Sequence, residues 1–153
     1  MNRILRSDGG FGAMELALVL PILMLLLLGM VDVSRMVATK IDLEQASQRA
    51  TDFALAKRPS SSDASYLVAE AAAAANVSPD KVSVTLFLTC NGTRQANFDS
   101  VCTSGQSPAR FAEIAITDSV DTQFNWNGLA FLFGGQVLQN SINVTGDSTV
   151  RFQ

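Results

Sequence analysis

A glycine–phenylalanine bond and a carboxylate four residues beyond it are the groups in this sequence best placed to do chemistry. Gly10 ends a short polar stretch, Phe11 begins an apolar run, and Glu15 lies within that run. Cleavage after Gly10 would create an α-amino group on Phe11. Residues i and i+4 share one face of a helix, about 6 Å apart along its axis. The new amine of one chain could therefore pair with Glu15 of a neighbouring chain when two such helices pack side by side.

The surroundings of Glu15 explain why it needs a partner. It is the only ionisable residue in the 21 residues 11–31. As a helix this run is about 31 Å long, which matches a hydrocarbon core of about 30 Å. A carboxylate within a membrane helix costs about 2.5–3.5 kcal/mol, so such residues usually have a partner. The alternative is that Glu15, close to the start of the span, lies among the lipid headgroups.

Enzymatic chemistry is not expected from this composition. The sequence has no histidine, which excludes a Ser-His-Asp triad and any histidine-ligated metal site. Its acidic residues are scattered, and it has no glycine motif typical of phosphate binding. We therefore expect no catalytic residue, no metal, no cofactor and no small-molecule substrate. The net charge of −3, without basic clusters, argues against a nucleic-acid partner.

The two cysteines predict a structural disulfide. Eleven residues rich in Asn, Gly, Ser and Thr separate Cys90 from Cys102. Two free thiols in a reducing compartment are the alternative, but the membrane span ahead of them favours export to an oxidising one. Closing a loop of about 13 residues stabilises a fold by roughly 3 kcal/mol on the chain-entropy model.

The first ten residues are interpreted as a leader peptide. Residues 1–10 are short and basic and end in two glycines. Arg3 and Arg6, ahead of the span, favour a cytoplasmic N-terminus and an exported C-terminal part.

A single long helix is predicted after the leader. Residues 11–31 form its transmembrane part, and residues 32–58 form an amphipathic continuation with apolar residues at three- and four-residue steps. Pro21 lacks the N–H that would bond back to Ala17, which predicts a local kink. A proline that is simply tolerated in a membrane helix is the alternative.

The sequence predicts a small exported α+β domain over residues 59–153. A second helix is expected from Ser62 or Asp63 to about Ala75. Alternating apolar residues then predict three or four antiparallel strands. These strands are expected within residues 82–88, 109–120 and 137–145, with residues 148–152 continuing the last strand or returning as a hairpin through Gly146 and Asp147.

An aromatic, turn-rich stretch lies between the later strands. Residues 122–135 carry Phe124, Trp126, Phe131 and Phe133 among glycines and asparagines. In a domain of this size such residues are most often core. A contact surface for a ligand is the alternative, and exposure of Trp126 would favour it.

The N-terminal sequence resembles a known family. Residues 9–35, GGFGAMELALVLPILMLLLLGMVDVSR, are similar to the TadE-like pseudopilins of tight-adherence (Tad/Flp) pili. The residues in the family's order are Glu15, Leu18, Pro21, Gly29 and Asp32. The Gly10–Phe11–xxx–Glu15 spacing also resembles the type IV prepilin signal, in which a prepilin peptidase cuts after the glycine. Leu16 stands where the family commonly has an aromatic residue.

This resemblance implies a minor pilin or pseudopilin subunit that is needed for pilus assembly and is processed by a prepilin peptidase. The implied partners are the inner membrane, that peptidase, other pilins or pseudopilins and pilus platform proteins. The implied location is the bacterial inner membrane, crossed once, with the C-terminal domain in the periplasm.

Two other functions stay open at this stage. One is an unprocessed single-pass protein of a secretion or pilus platform, and the other is a binding subunit or adhesin at a pilus tip. The glycines at 9, 10 and 12 offer three cleavage sites. We choose Gly10 because it makes Glu15 the fifth residue of the mature chain.

Overall fold

The computed structural model describes residues 10–132, 134 and 140–153, and these residues have the α+β fold that the sequence predicts. They divide into two compact units. The N-terminal unit comprises the described residues of 1–35 and 122–140, and the sheet unit comprises 36–121 and 141–153. Of the predicted leader, only Gly10 lies within the described residues. The helices are α1 (Gly10–Ala56), α2 (Ser65–Ala75) and α3 (Trp126–Leu132), and the strands are β1 (Val82–Cys90), β2 (Thr93–Arg94), β3 (Pro108–Asp121) and β4 (Ser141–Arg151).

The first helix is as long as the sequence predicts. α1 runs for 47 residues and contains Pro21 without ending there. It ends at Ala56, before Pro59, the next residue that a helix cannot readily accommodate. The position along α1 at which a membrane span would give way to the amphipathic continuation stays a prediction.

The sheet has the order β2-β1-β3-β4, and every neighbouring pair is antiparallel. Asn91 and Gly92 join β1 to β2, with φ angles of 51° and 83°. A two-residue hairpin turn of this hand needs positive φ at both positions, and Asn-Gly is the sequence that adopts it most easily. The predicted antiparallel sheet is confirmed.

The last strand settles the alternative left open at Gly146 and Asp147. β4 is continuous, and it pairs with β3 from Asp121↔Ser141 to Phe111↔Arg151. The predicted alternative, in which residues 148–152 return as a hairpin, is therefore wrong. β3 is 14 residues long and offers backbone partners to all of β4, so a reversal at Gly146 would forfeit those hydrogen bonds. The part of the predicted strand at residues 137–139 lies outside the described residues.

The core of the sheet unit lies between one face of the sheet and two helices. Leu43, Ala46 and Ala50 of α1 and Ala71 of α2 are buried in one cluster with apolar residues of β3 and β4. These helix side chains are mostly alanine, so the backbones approach closely. The strand residues of this cluster are Ile114, Ile116, Val120 and Val144.

The second helix starts later than predicted. α2 begins at Ser65, and neither Ser62 nor Asp63 is its N-cap residue, since that position belongs to Ala64. Asp63 still contributes, because its Oδ1 accepts the Ser65 N–H at 3.0 Å. The helix ends at Ala75, and its C-cap residue is Asn76, whose left-handed conformation (φ 53°) is one that asparagine tolerates better than most residues.

The predicted disulfide is confirmed. Cys90, the last residue of β1, is bonded to Cys102 in the loop before β3, and their Cα atoms are 5.7 Å apart. Phe98, in the same loop, is buried against Phe152, with ring centroids 6.1 Å apart. The loop is thus held to the sheet unit by a covalent bond and by an aromatic contact.

Candidate functional site

The apolar part of α1 presents its side chains outward. Among the described residues, α1 is the one helix long and apolar enough to cross a membrane, and only 6 % of its most apolar 18-residue stretch is buried. The core helix of a soluble domain would be mostly buried. A continuous exposed apolar surface of this size marks a site for lipid or for other helices. The chain therefore fits a single-pass membrane protein. Its exposed apolar side chains include Leu16, Leu18, Ile22, Leu26 and Met30.

The residues predicted to act in processing and assembly lie at the start of α1. Gly10 and the residues that follow it are helical, so positions 11 and 15 are about one turn apart on a continuous helical backbone, as their spacing predicts. The Glu15 side chain is exposed. Cleavage after Gly10 and pairing of Glu15 with a neighbouring amine stay predictions. So does the kink at Pro21, an exposed residue through which α1 continues.

A second set of residues, which the sequence did not reveal, lies at the other end of the apolar run. Asp32 is only 4 % exposed, although it is a charged residue on a helix whose neighbours face outward. Its Oδ1 accepts the backbone N–H of Gln123 at 2.7 Å. Its Oδ2 accepts the indole Nε1–H of Trp126 at 2.8 Å. One carboxylate thus holds residues 122–132, the aromatic segment, against α1.

Gly29 leaves room for the indole ring of Trp126. A Cβ built on Gly29 would lie 3.5 Å from Trp126 Cη2 and 3.7 Å from Cζ2. The benzene ring of the indole therefore lies over Gly29 while its N–H reaches Asp32, three residues further along α1. Phe124 meets the indole edge-on, with ring centroids 4.9 Å apart. The indole accordingly extends along the helix over about one turn.

Hydrogen bonds join the aromatic segment to Asn140, the residue just before β4. The Thr122 N–H donates to the Asn140 carbonyl at 2.8 Å. The Asn127 amide Nδ2 donates to Asn140 Oδ1 at 3.0 Å. The prediction that the aromatic side chains of this stretch lie in the core is wrong for Phe131, which is 84 % exposed. Phe124 and Trp126 are half-buried, and Phe133 lies outside the described residues.

Two residues of this site are conspicuous in the sequence, but the sequence does not show that they are in contact. Asp32 is the first charge after the apolar run, and Trp126 is the only tryptophan of the chain. Because they lie 94 positions apart in the chain, no local periodicity relates one to the other. Only the tertiary fold shows that they are hydrogen-bonded.

One cleft of the sheet unit is lined in part by charged residues. This cleft of about 400 Å³ is lined by residues at one end of β1 and β3. Asp80, Lys81 and Asp118 are its charged residues, and two of them form a salt bridge in which Lys81 Nζ lies 2.6 Å from Asp118 Oδ1. That hydrogen bond lowers the pKa of Asp118 and raises the pKa of Lys81. Within the described residues, no group of three or more acidic or cysteine side chains could hold a metal ion.

Comparison with known proteins gives one match, and it falls on the helix described above. The family model for TadE-like proteins matches residues 10–52. Nothing among curated proteins or solved structures matches the chain. The matched stretch lies within α1 and includes Glu15, Gly29 and Asp32. Over residues 10–52, less than half of its length, this chain is similar to the TadE-like family, in agreement with the resemblance of residues 9–35.

Proposed function

We propose that this chain is a minor pilin or pseudopilin subunit for the assembly of a Tad-type pilus, and that it has no catalytic activity. The observation that carries the proposal is the TadE-like match, which starts at Gly10, the residue of the predicted cleavage site. The similarity to TadE-like proteins supports the assignment of this chain as a component associated with a Tad pilus.

The exposed surface of α1 supports a two-stage role for the helix. Before assembly the apolar side chains are solvated by lipid in the inner membrane, with the N-terminus in the cytoplasm and the sheet unit in the periplasm. During assembly the same surface exchanges lipid for the helices of other subunits. The exposed side chains of Leu18, Leu26 and Met30 are suited to either environment, because lipid tails and packed helices are both apolar.

Glu15 supplies the specificity that an apolar surface lacks. In this proposal a prepilin peptidase cuts after Gly10, and the new α-amino group of one subunit pairs with Glu15 of the next. The carboxylate is exposed on the helix and so is accessible to a neighbouring chain. An ion pair in an apolar surrounding is far stronger than one in water, so it aligns neighbouring helices along their axes.

Two measurements on protein from native membranes test the proposal. The intact mass of a chain whose first residue is Phe11 is expected, whereas the mass of a chain that starts at Met1 would show an unprocessed membrane protein. The mass of a chain cut after Gly9 or Gly12 would move the cleavage site. Glu15→Gln is expected to insert into the membrane normally and to fail in pilus assembly, because it keeps the shape of the side chain and removes its charge.

Asp42→Asn is the matched control for Glu15→Gln. It removes one carboxylate charge from an exposed residue of the same helix, outside residues 11–31. Normal assembly is expected in this variant. Wild-type assembly with Glu15→Gln would remove Glu15 from the mechanism.

A further inference from the structure

The aromatic segment is packed on α1 where the apolar part of the helix ends. Trp126 lies over Gly29, within the apolar run, and is hydrogen-bonded to Asp32, the first charge beyond it. We propose that this segment binds the lipid surface, with Trp126 in the headgroup region and Phe131 inserted at the boundary with the acyl chains. The inference rests on the part of the proposed function that places α1 in a bilayer.

The direction of the indole ring is the first argument. Its polar N–H faces Asp32, and its benzene ring faces Gly29. Gly29 lies about 4.5 Å closer than Asp32 to the centre of the apolar run, at 1.5 Å per residue. Tryptophan at a membrane interface is amphipathic in this sense, with its apolar body toward the hydrocarbon and its N–H toward water. The contacts with α1 thus hold Trp126 in the orientation that a membrane favours.

The exposure of Phe131 is the second argument. It is 84 % exposed, among the most exposed large apolar side chains in the described part of the protein. It belongs to α3, whose first residue is Trp126, so it is carried by the same segment. The exposed apolar surface of α1, which includes Leu26 and Met30, belongs to the same unit. The lipid that surrounds the apolar part of α1 is therefore the partner that we infer for Phe131.

The composition of the segment is the third argument. Residues 122–146 contain no Asp, Glu, Lys or Arg. The polar residues of the aromatic segment are all neutral, namely Thr122, Gln123, Asn125 and Asn127. Burial of an ionised group near the hydrocarbon is costly, whereas neutral amides and aromatic rings are readily accommodated among headgroups. This composition suits a lipid interface better than a charged protein partner.

Tryptophan fluorescence of the full chain tests the inference directly, because Trp126 is the only tryptophan. The protein is reconstituted in phosphatidylcholine–phosphatidylglycerol vesicles that contain lipids brominated near the headgroup end or near the methyl end of the acyl chain. Bromine near the headgroup end is expected to quench Trp126 more than bromine near the methyl end. Flotation of the protein with the vesicles confirms that it is incorporated.

Moving the only tryptophan to position 131 tests whether this position contacts lipid. Trp126→Phe combined with Phe131→Trp places the only tryptophan at position 131. The exchange removes the indole N–H bond to Asp32 but keeps an aromatic ring at position 126 and the bond from the Gln123 N–H to Asp32. Trp126→Phe combined with Val101→Trp is the matched control, because Val101 is 89 % exposed but belongs to a loop of the sheet unit. Quenching by bromolipid is expected to be at least about twofold stronger at position 131 than at position 101, since contact quenching requires lipid at the residue itself.

The possible results separate the inference from the proposed function. Incorporated protein that shows equal bromolipid quenching at positions 131 and 101, or no quenching of Trp126, overturns the inference and leaves the span in place. Weak bromolipid quenching at position 131 that strengthens as the protein is diluted in lipid assigns the surface to a second copy of the chain and also overturns it. Failure of the wild-type chain to incorporate removes the membrane anchor and the inference together.

Discussion

Gly146 is the position where a single added methyl group is expected to disturb the fold most. It is buried in β4, opposite Ile116 of β3, and it faces α1. A Cβ built on it would lie 2.7 Å from Leu43 Cβ and would also overlap backbone atoms of Leu43 and Glu44. Because backbone atoms of a helix cannot rotate away, α1 and β4 must move apart to accept the methyl group. Overpacking costs about 1–3 kcal/mol, and we expect Gly146→Ala to fall in the upper part of that range.

Amide hydrogen exchange of the full chain in micelles measures this cost. The most protected amides of β3 and β4 exchange through large-scale opening, so their rates report the free energy of opening. A loss of about 2–3 kcal/mol corresponds to roughly 30- to 150-fold faster exchange. Gly128→Ala is the matched control, because it adds the same methyl group to a glycine of α3 with nothing within 4 Å of the new atom.

The two variants give opposite expectations. Gly128→Ala is expected to leave exchange in β3 and β4 unchanged, since alanine is favoured over glycine in a helix. Exchange in Gly146→Ala that stays within about threefold of the wild type would match an ordinary surface substitution. That result would refute the close packing of α1 on β4 at this point.

Two further predictions concern the sheet unit. Replacing Cys90 and Cys102 together by serine is expected to lower the free energy of unfolding by roughly 3 kcal/mol, measured as a lower urea midpoint, and an unchanged midpoint would show that the bond does not stabilise the loop. The hydrogen bond from Lys81 is the chief cause that lowers the pKa of Asp118 in the folded protein. As the pH falls below about 4, the Asp118 carboxylate is therefore protonated in the unfolded chain before it is protonated in the folded one, and the folded protein loses stability. Asp118→Asn is expected to make this loss shallower in acid urea titrations, and an identical pH dependence would contradict the assignment.

The sequence by itself determined the parts of this protein that depend on local periodicity. The apolar run and the amphipathic pattern behind it predicted one long helix, which α1 confirms from Gly10 to Ala56. Alternation of apolar and polar residues predicted the antiparallel strands. The spacing of Cys90 and Cys102 predicted their bond. These features are visible in sequence because each depends on neighbours within a few residues or on a short loop.

The tertiary structure alone decided the features that join distant segments. The pairing of β4 with the long β3 strand, rather than any signal at Gly146, makes β4 continuous. The hydrogen bond between Trp126 and Asp32 spans 94 residues, and it determines which aromatic side chains are half-buried and which, like Phe131, are exposed. The physical reason is that burial and hydrogen bonding depend on which surfaces meet in space, and residue spacing along the chain carries that information only for nearby residues.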